Sequence, residues 1–186
     1  ITKVETNEVY HQSNAISSSA LKTIHKKSVY HYLNQAPRYS NALQLGTAIH
    51  TAVLEPENFY DEFYISPKID KRTKAGKEQA AKQVKLAEGK SVIEADQYDM
   101  ILKIKENFER NEQAVYYTKG DIELSHYTTY EGVDVRVRPD CINKMLGFIS
   151  DPKSCQDNSP RAFKSDVYKW GYHLQAAFYS DMVGID

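Results

Sequence analysis

"RPDCINKMLGFISDPK", residues 138–153, sets Asp140 and Asp151 eleven positions apart and follows the second with a lysine at 153. The tract between the acids is mostly apolar and breaks at Asn143 to Gly147. Strands over 133–142 and 147–153, turning at that break, would make an antiparallel hairpin. Opposed residues in a hairpin share one index sum, and Lys144 opposite Gly147 fixes it at 291, which is also the sum of 140 and 151. On that register the two carboxylates face each other, their Cβ atoms about 4.5–5.5 Å apart. Lys153, two residues past Asp151, emerges on the same face. Opposed like charges repel, and desolvation makes the repulsion worse. A divalent cation between them reverses its sign, and oxygen ligands suit a hard ion such as Mg²⁺ or Mn²⁺. The spacing alone also fits a surface hairpin whose acids are incidental.

The surroundings narrow the choice. A chain of 186 residues, 41% apolar and 26% charged, reads as one globular domain with a real core. No apolar run approaches the ~20 residues of a membrane span, and no charged-then-apolar signal pattern opens the chain, so cytoplasm is the expected location. The first residue is Ile1, which reads as a trimmed start. Cys141 and Cys155 are the two cysteines, too few for a disulfide framework or a four-cysteine metal cluster. The net charge of −1 hides an asymmetry. Residues 68–90 hold eight Lys or Arg against three acids, a local charge of +5, which leaves −6 on the rest. Such a run is a solvated helix face or a phosphate-facing patch.

Along the chain, Ser17 to Ser19 precede a predicted helix over "ALKTIHKKSVYHYLN", with Pro37 beyond its end. A second helix is expected over roughly 42–54, then a short strand or extended connector at "FYDEFYIS". Helices are expected from about 74 to 88, ended by Gly89, and from 95 to 110 with Tyr98, Ile101, Leu102, Lys105 and Phe108 on one face. "DIELSHYTTY" and "VDVRVRPD" read as strands joined by a turn at Glu131-Gly132, "GFISDPK" as a third, and 160–186 as helix broken near Gly171. Helices, a three-stranded meander and a final helix give an α+β order.

"DPK" at 151–153, preceded by an acid on the neighbouring strand, resembles the PD-(D/E)xK nuclease superfamily, and within it the RecE-type exodeoxyribonucleases (exonuclease VIII) of the RecB-like branch. The short motif is weak alone; its companions, in order, make it specific. They are "LGTAIHTAVLEPENF" at 45–59, "RTKAGKE" at 72–78, "IELS" at 122–125, "VRVRPD" at 135–140 and "HLQAAFYSD" at 173–181. The resemblance runs from "AISSSALKTI" at 15–24 to the end.

It implies a restriction-endonuclease-like core: a central mixed sheet flanked by helices, with a helical N-terminal half. The whole of 1–186 would be one nuclease domain, with residues 1–115 mainly helical and 116–186 the meander and last helix. His50, Asp140 and Asp151 would ligate the metal, joined by the carbonyl of Pro152. Lys153 would orient and help deprotonate the attacking water and offset charge on the phosphorane. Glu123 matches the upstream acid, either a supporting group or a ligand for a second ion. Gln175 and Tyr179, four apart on one helix face, match the QxxxY motif that lines the site. "RTKAGKE" matches a basic segment of the RecE-type proteins, and if the basic run faces DNA, Lys71, Arg72, Lys74 and Lys77 are its candidate contacts. Arg136 and Arg138 have the strand parity of Asp140 and would touch phosphates or form salt bridges. Pro152 removes an amide from the motif strand, which places it at an edge or bulge. Relatives continue past the QxxxY helix, so the chain reads as a C-terminally truncated core.

The function implied is Mg²⁺-dependent exonuclease digestion of linear duplex DNA from 5′ ends, with Mn²⁺ able to substitute. An annealing protein would receive the single strand in phage-type recombination, and the enzyme would be a ring-shaped homo-oligomer. No iron–sulfur cluster and no membrane partner are expected. The alternative is a catalytically silent nuclease fold acting as a DNA-binding or assembly module; the intact acids and Lys153 weigh against it.

Overall fold

Side-chain oxygens open most of the helices. Thr6, Ser17, Ser28, Ser40, Thr73 and Ser159 each accept a hydrogen bond from an amide in the first turn that follows, satisfying donors that no helical carbonyl can reach. The computed structural model describes residues 1–36 and 39–185; Pro37, Arg38 and Asp186 lie outside the described residues.

Two units result, one from Ile1–Pro37 with Tyr117–Asp186 and one from Arg38–Tyr116. The first helices thus group with the C-terminal strands, although they lie in the mainly helical half of the sequence. The first unit begins with β1 (Thr2–Lys3), α1 (Asn7–Gln12), α2 (Ser18–Lys26) and α3 (Val29–Asn34). One continuous helix was the expectation over 20–34. Ser28 divides it: its backbone is fully extended, and its hydroxyl accepts from the His31 amide to start α3.

The second unit holds α4 (Asn41–Leu54), a 3₁₀ turn at Pro56–Asn58, α5 (Phe59–Glu62), β2 (Phe63–Ser66), α6 (Lys74–Leu86), β3 (Ser91–Glu94), α7 (Ala95–Glu109) and α8 (Glu112–Tyr116). "FYDEFYIS" is therefore a helical turn running into a strand. β2 and β3 pair in parallel, joined by α6. Ala48 and Ala52 of α4 pack with Phe59, Phe63, Ile93 and Ile101 in the unit's core, where Phe59 and Phe63 stack at 5.0 Å. Leu102, expected on the buried face of α7, is 44% exposed. Ile101, expected on the same face, is buried; Leu102 lies one residue on and so about 100° around the helix.

The remaining strands and helices belong to the first unit: β4 (Asp121–Ile122), β5 (Ser125–Tyr130), β6 (Val133–Val137), β7 (Cys141–Asn143), β8 (Phe148–Ser150), α9 (Pro160–Trp170) and α10 (Tyr172–Val183). β1, β5 and β6 form one antiparallel sheet, and a parallel bridge from Ile16 to Val135 makes it mixed. β4, β7 and β8 form a second, with β8 at its edge. Glu131 and Gly132 both take positive φ in the turn between β5 and β6, the two-residue connection whose twist suits a hairpin.

Two expected continuous strands are each divided. The strand at 121–130 is interrupted around Glu123, whose φ is 52°, and the strand at 133–142 is interrupted at 138–140. Pro139, fully buried there, has no amide to give the ladder. The register nevertheless survives. Asp121 with Ile142 and His126 with Val137 both add to 263, so the two gaps face each other and neither strand gains a residue. Gly171 closes α9 with φ 69° and opens α10, the break expected there. No described helix is long and apolar enough to cross a membrane.

Candidate active site

Cys141 pairs with Ser150, Ile142 with Ile149 and Asn143 with Phe148, so the hairpin has the index sum of 291 read from its turn. Asp140 stands immediately before β7 and Asp151 immediately after β8, the next pair on that register. Pro139 and Pro152 follow on either side, and neither can donate to a ladder. The strands stop pairing at the acids, and the negative charge of Asp140 bears directly on the Asp151 carboxyl. Asp140 is only 8% exposed.

Lys153 balances them. Its Nζ forms an ion pair with Asp151 Oδ2 and lies 3.9 Å from Asp140 Oδ2. The ring of Tyr172 stands 5.8 Å from the same nitrogen. Gln175 and Tyr179 share the buried face of α10. Gln175 Nε2 donates to Asp151 Oδ2 at 3.0 Å and to the Tyr179 hydroxyl at 3.1 Å. The Tyr179 hydroxyl in turn donates to the Arg138 carbonyl at 3.4 Å. A lysine that sequence reading passed over completes the set: Lys22 of α2 donates to Gln175 Oε1 at 2.9 Å. No local pattern marks it, because its partner lies 153 residues away.

The electrostatics are those of a cation site. Burial, followed by the charge of Asp140, pushes the Asp151 carboxyl up to about 6. Burial, followed by the charge of Asp151, also raises the Tyr179 phenol. Asp151 Oδ2 takes two donors, while its Oδ1 is buried with no hydrogen-bond partner. A buried carboxylate oxygen left in this way is costly unless a positive ion meets it. The donor set therefore fits a hard divalent cation.

Glu123 sits beside this pair. One of its carboxylate oxygens lies within 4.8 Å of one on Asp140, its amide donates to the Asp140 carbonyl at 3.2 Å, and Oε2 pairs with Arg138 Nε at 2.7 Å. Its left-handed backbone is uncommon for a glutamate and marks local strain of the kind stored at functional sites. Arg136, an expected phosphate contact, is instead buried: its guanidinium lies 4.7 Å from the Tyr10 ring and donates to the Ser13 carbonyl. Arg138 lies 5.7 Å from the same ring.

His50 and the basic segment belong to the second unit. His50 is half-buried on α4. Lys71 pairs with Glu94 at 2.7 Å, and Arg72 grips Asp70 with Nε and Nη2 at 2.9 and 2.8 Å. Lys74 and Lys77 are exposed in the first turn of α6.

Beside Asp151 and Lys153 a cavity of about 340 Å³ opens, bounded on its polar side by Gln175 and Tyr179 and on its apolar side by Phe148, Phe163 and Tyr172. It brings aromatic surface next to Asp151 and Lys153.

Two acids at the mouth of a β-hairpin, a lysine two residues on and a buried QxxxY helix on an α+β frame define a PD-(D/E)xK nuclease fold. The model of the PDDEXK-like domain of unknown function (DUF3799) matches residues 17–186, and the chain belongs to that family. The crystal structure of a "putative exonuclease" from Eubacterium rectale is similar in fold, with a TM-score of 0.62 at 18% identity over 97% of this chain and 68% of that one. No curated protein matches the chain. Nucleases of the PD-(D/E)xK class use divalent metals.

Proposed function

We propose that the chain is the catalytic part of a divalent-metal-dependent exodeoxyribonuclease of RecE type that hydrolyses linear duplex DNA from its 5′ ends. The observation that supports this most is the paired register of Asp140 and Asp151 with Lys153 reaching both. In this reading Asp140, Asp151, the Pro152 carbonyl and His50 hold Mg²⁺, with Mn²⁺ as a substitute, and Glu123 supports them or meets a second ion. When bound, the ion supplies positive charge against the phosphoryl oxygens as the phosphodiester breaks. Lys153 donates to the attacking water and the developing phosphorane, where a preoriented cation contributes most. Gln175 keeps Asp151 in place. Lys71, Arg72, Lys74, Lys77 and Arg138 serve the DNA backbone; Arg136, taken up by Tyr10 and Ser13, serves the fold. A ring of identical subunits, a cytoplasmic setting and hand-over of single strand to an annealing protein in phage-type recombination complete the proposal.

The test is a gel assay on linear duplex, on the same duplex closed into a circle, and on 5′- and 3′-labelled ends, with and without Mg²⁺. Metal-dependent loss of the linear form from its 5′ ends is the expected result. No cleavage with Mg²⁺, or with Mn²⁺ in its place, in a protein that still binds DNA, would leave a binding module.

The basic segment gives a separate prediction. Replacing Lys71, Arg72 and Lys74 with Gln should weaken duplex binding alike for all sequences. It should also flatten the salt dependence by up to about 2.7 in log K against log salt, roughly 0.9 for each phosphate that is no longer neutralised. The ion pairs of Lys71 and Arg72 are no obstacle, because exposed pairs are worth only about 0–1 kcal/mol and yield to a phosphate. Affinities at three or more salt concentrations in Ca²⁺ check this; an unchanged slope assigns the segment to solvent.

A further inference from the structure

Two helices of the first unit meet through side chains at matched spacing. Lys22 donates to Gln175 Oε1 at 2.9 Å, and Ser18 lies beside the Tyr179 hydroxyl, where it acts to lower the phenol's pKa. Both pairs add to 197, as antiparallel helices require, and each helix uses positions four apart. α2 therefore holds the two side chains of α10 that border the acids.

The bond from Lys22 carries directional information. An ammonium only donates, whereas a glutamine amide offers a carbonyl at one end and two N–H groups at the other. With Lys22 on Oε1, the amide must turn Nε2 to Asp151 Oδ2 and the Tyr179 hydroxyl, and every polar group of Gln175 is then used. A flipped amide would set its oxygen against the Asp151 carboxylate and its N–H groups against an ammonium. Gln175 and Lys153 together occupy Oδ2, which leaves the buried Oδ1 for the cation.

Stability alone gives no reason for a lysine here. Burial and the charge of Lys153 both work against the Lys22 ammonium. The fold still makes room for its stem: a Cβ on Gly171 would lie 3.1 Å from Lys22 Cδ and 3.3 Å from Cγ, closer than side chains settle without shifting. An apolar residue at 22 would fill the same path without the desolvation.

We propose that Lys22 is a positioning residue of the nuclease centre, fixing the Gln175 amide so that Asp151 presents one oxygen to the metal. This rests on the nuclease reading above. The experiment compares wild type, Lys22→Met, Lys22→Arg, Gln175→Ala and the Lys22→Met/Gln175→Ala pair, reading Mn²⁺ affinity by calorimetry, turnover and KM on linear duplex, and Tm. Lys22→Met should lower Mn²⁺ affinity and kcat by roughly 10–100-fold, the range for groups that orient metal ligands. KM for DNA should stay within about twofold, since Lys22 acts through Gln175 and not on the phosphate. Lys22→Arg, still a pure donor, should recover most of the loss. In the Gln175→Ala background Lys22→Met should add nothing. Additive losses, or a raised KM with unchanged Mn²⁺ affinity, would overturn the proposal and make Lys22 a phosphate anchor. Should Lys22→Met not fold, Lys22→Gln takes its place with the same criteria. A wild type that binds no Mn²⁺ overturns the nuclease reading; a wild type that binds it no better than Lys22→Met overturns only the role of Lys22.

Discussion

Asp151→Asn should abolish metal-dependent cleavage, by about a thousandfold or more, while making the metal-free protein more stable at neutral pH. The two effects share one cause. Burial and Asp140 push the Asp151 carboxyl up to about 6 from an ordinary 3.8, so the ionised group is disfavoured in the folded state. Its stabilising contribution is complete below about pH 3.8 and is lost as pH rises through about 6. Asparagine removes that pH dependence. Its carbonyl can still accept from Lys153 and Gln175, and its amide faces Asp140, so about 1–2 kcal/mol of stability should return at pH 7.5 and none at pH 4. On the nuclease reading the ligand charge would be lost with it, and cleavage would depend on that charge. Asp140→Asn should lose cleavage to a similar degree. Urea melts at the two pH values, with and without Mn²⁺, check both halves: wild type should gain stability from the ion and Asp151→Asn should not. Wild-type-like cleavage by either variant would remove these acids from the site.

Lys153→Ala should lose roughly 100- to 1,000-fold in turnover and keep its affinity for DNA, if the ammonium acts, as proposed, where charge develops in the transition state. Its effect on the metal-free protein should run opposite to that of Asp151→Asn. Lys153 is the cation that neutralises Asp151 and lies near Asp140; without it two carboxyl groups face each other in a buried setting. The variant should therefore melt lower than wild type without metal, and Mn²⁺ should raise its melting temperature by more. Single-turnover rates on saturating linear duplex, alongside thermal melts, give the measurement. A variant that loses DNA affinity and keeps its rate would make Lys153 a phosphate ligand.

The hairpin was legible because local chemistry determines it. Asn143 and Gly147 mark the turn, and a turn fixes a register for every residue beyond it, including the two acids. The QxxxY pair was legible for a similar reason, since helical spacing is a local property. What escaped the sequence depends on distant partners. Nothing near Lys22 announces Gln175, which lies 153 residues on. Nothing near Ile16 announces its bridge to Val135. The strand pattern of Val133, Val135 and Val137 gave no warning of the gap at 138–140, because Asp140 and Cys141 continue the alternation while Pro139 interrupts the bonding. Arg136 shares that alternation with Arg138, but a tyrosine from α1 meets it first.

The facing gaps in the long hairpin bear on how this family can change length over evolutionary time. Residues 123–125 and 138–140 stand opposite each other with one index sum on both sides. An inserted or deleted residue on one side alone would rotate Glu123 or Asp140 to the other surface of the sheet, since side chains alternate at every step. Indels there should survive only as compensated pairs, whereas the exposed turn around Met145 can lengthen freely. Aligned relatives should accordingly show constant spacing from Glu123 to the β5–β6 turn and back to Asp140, and variable spacing from Asp140 to Asp151.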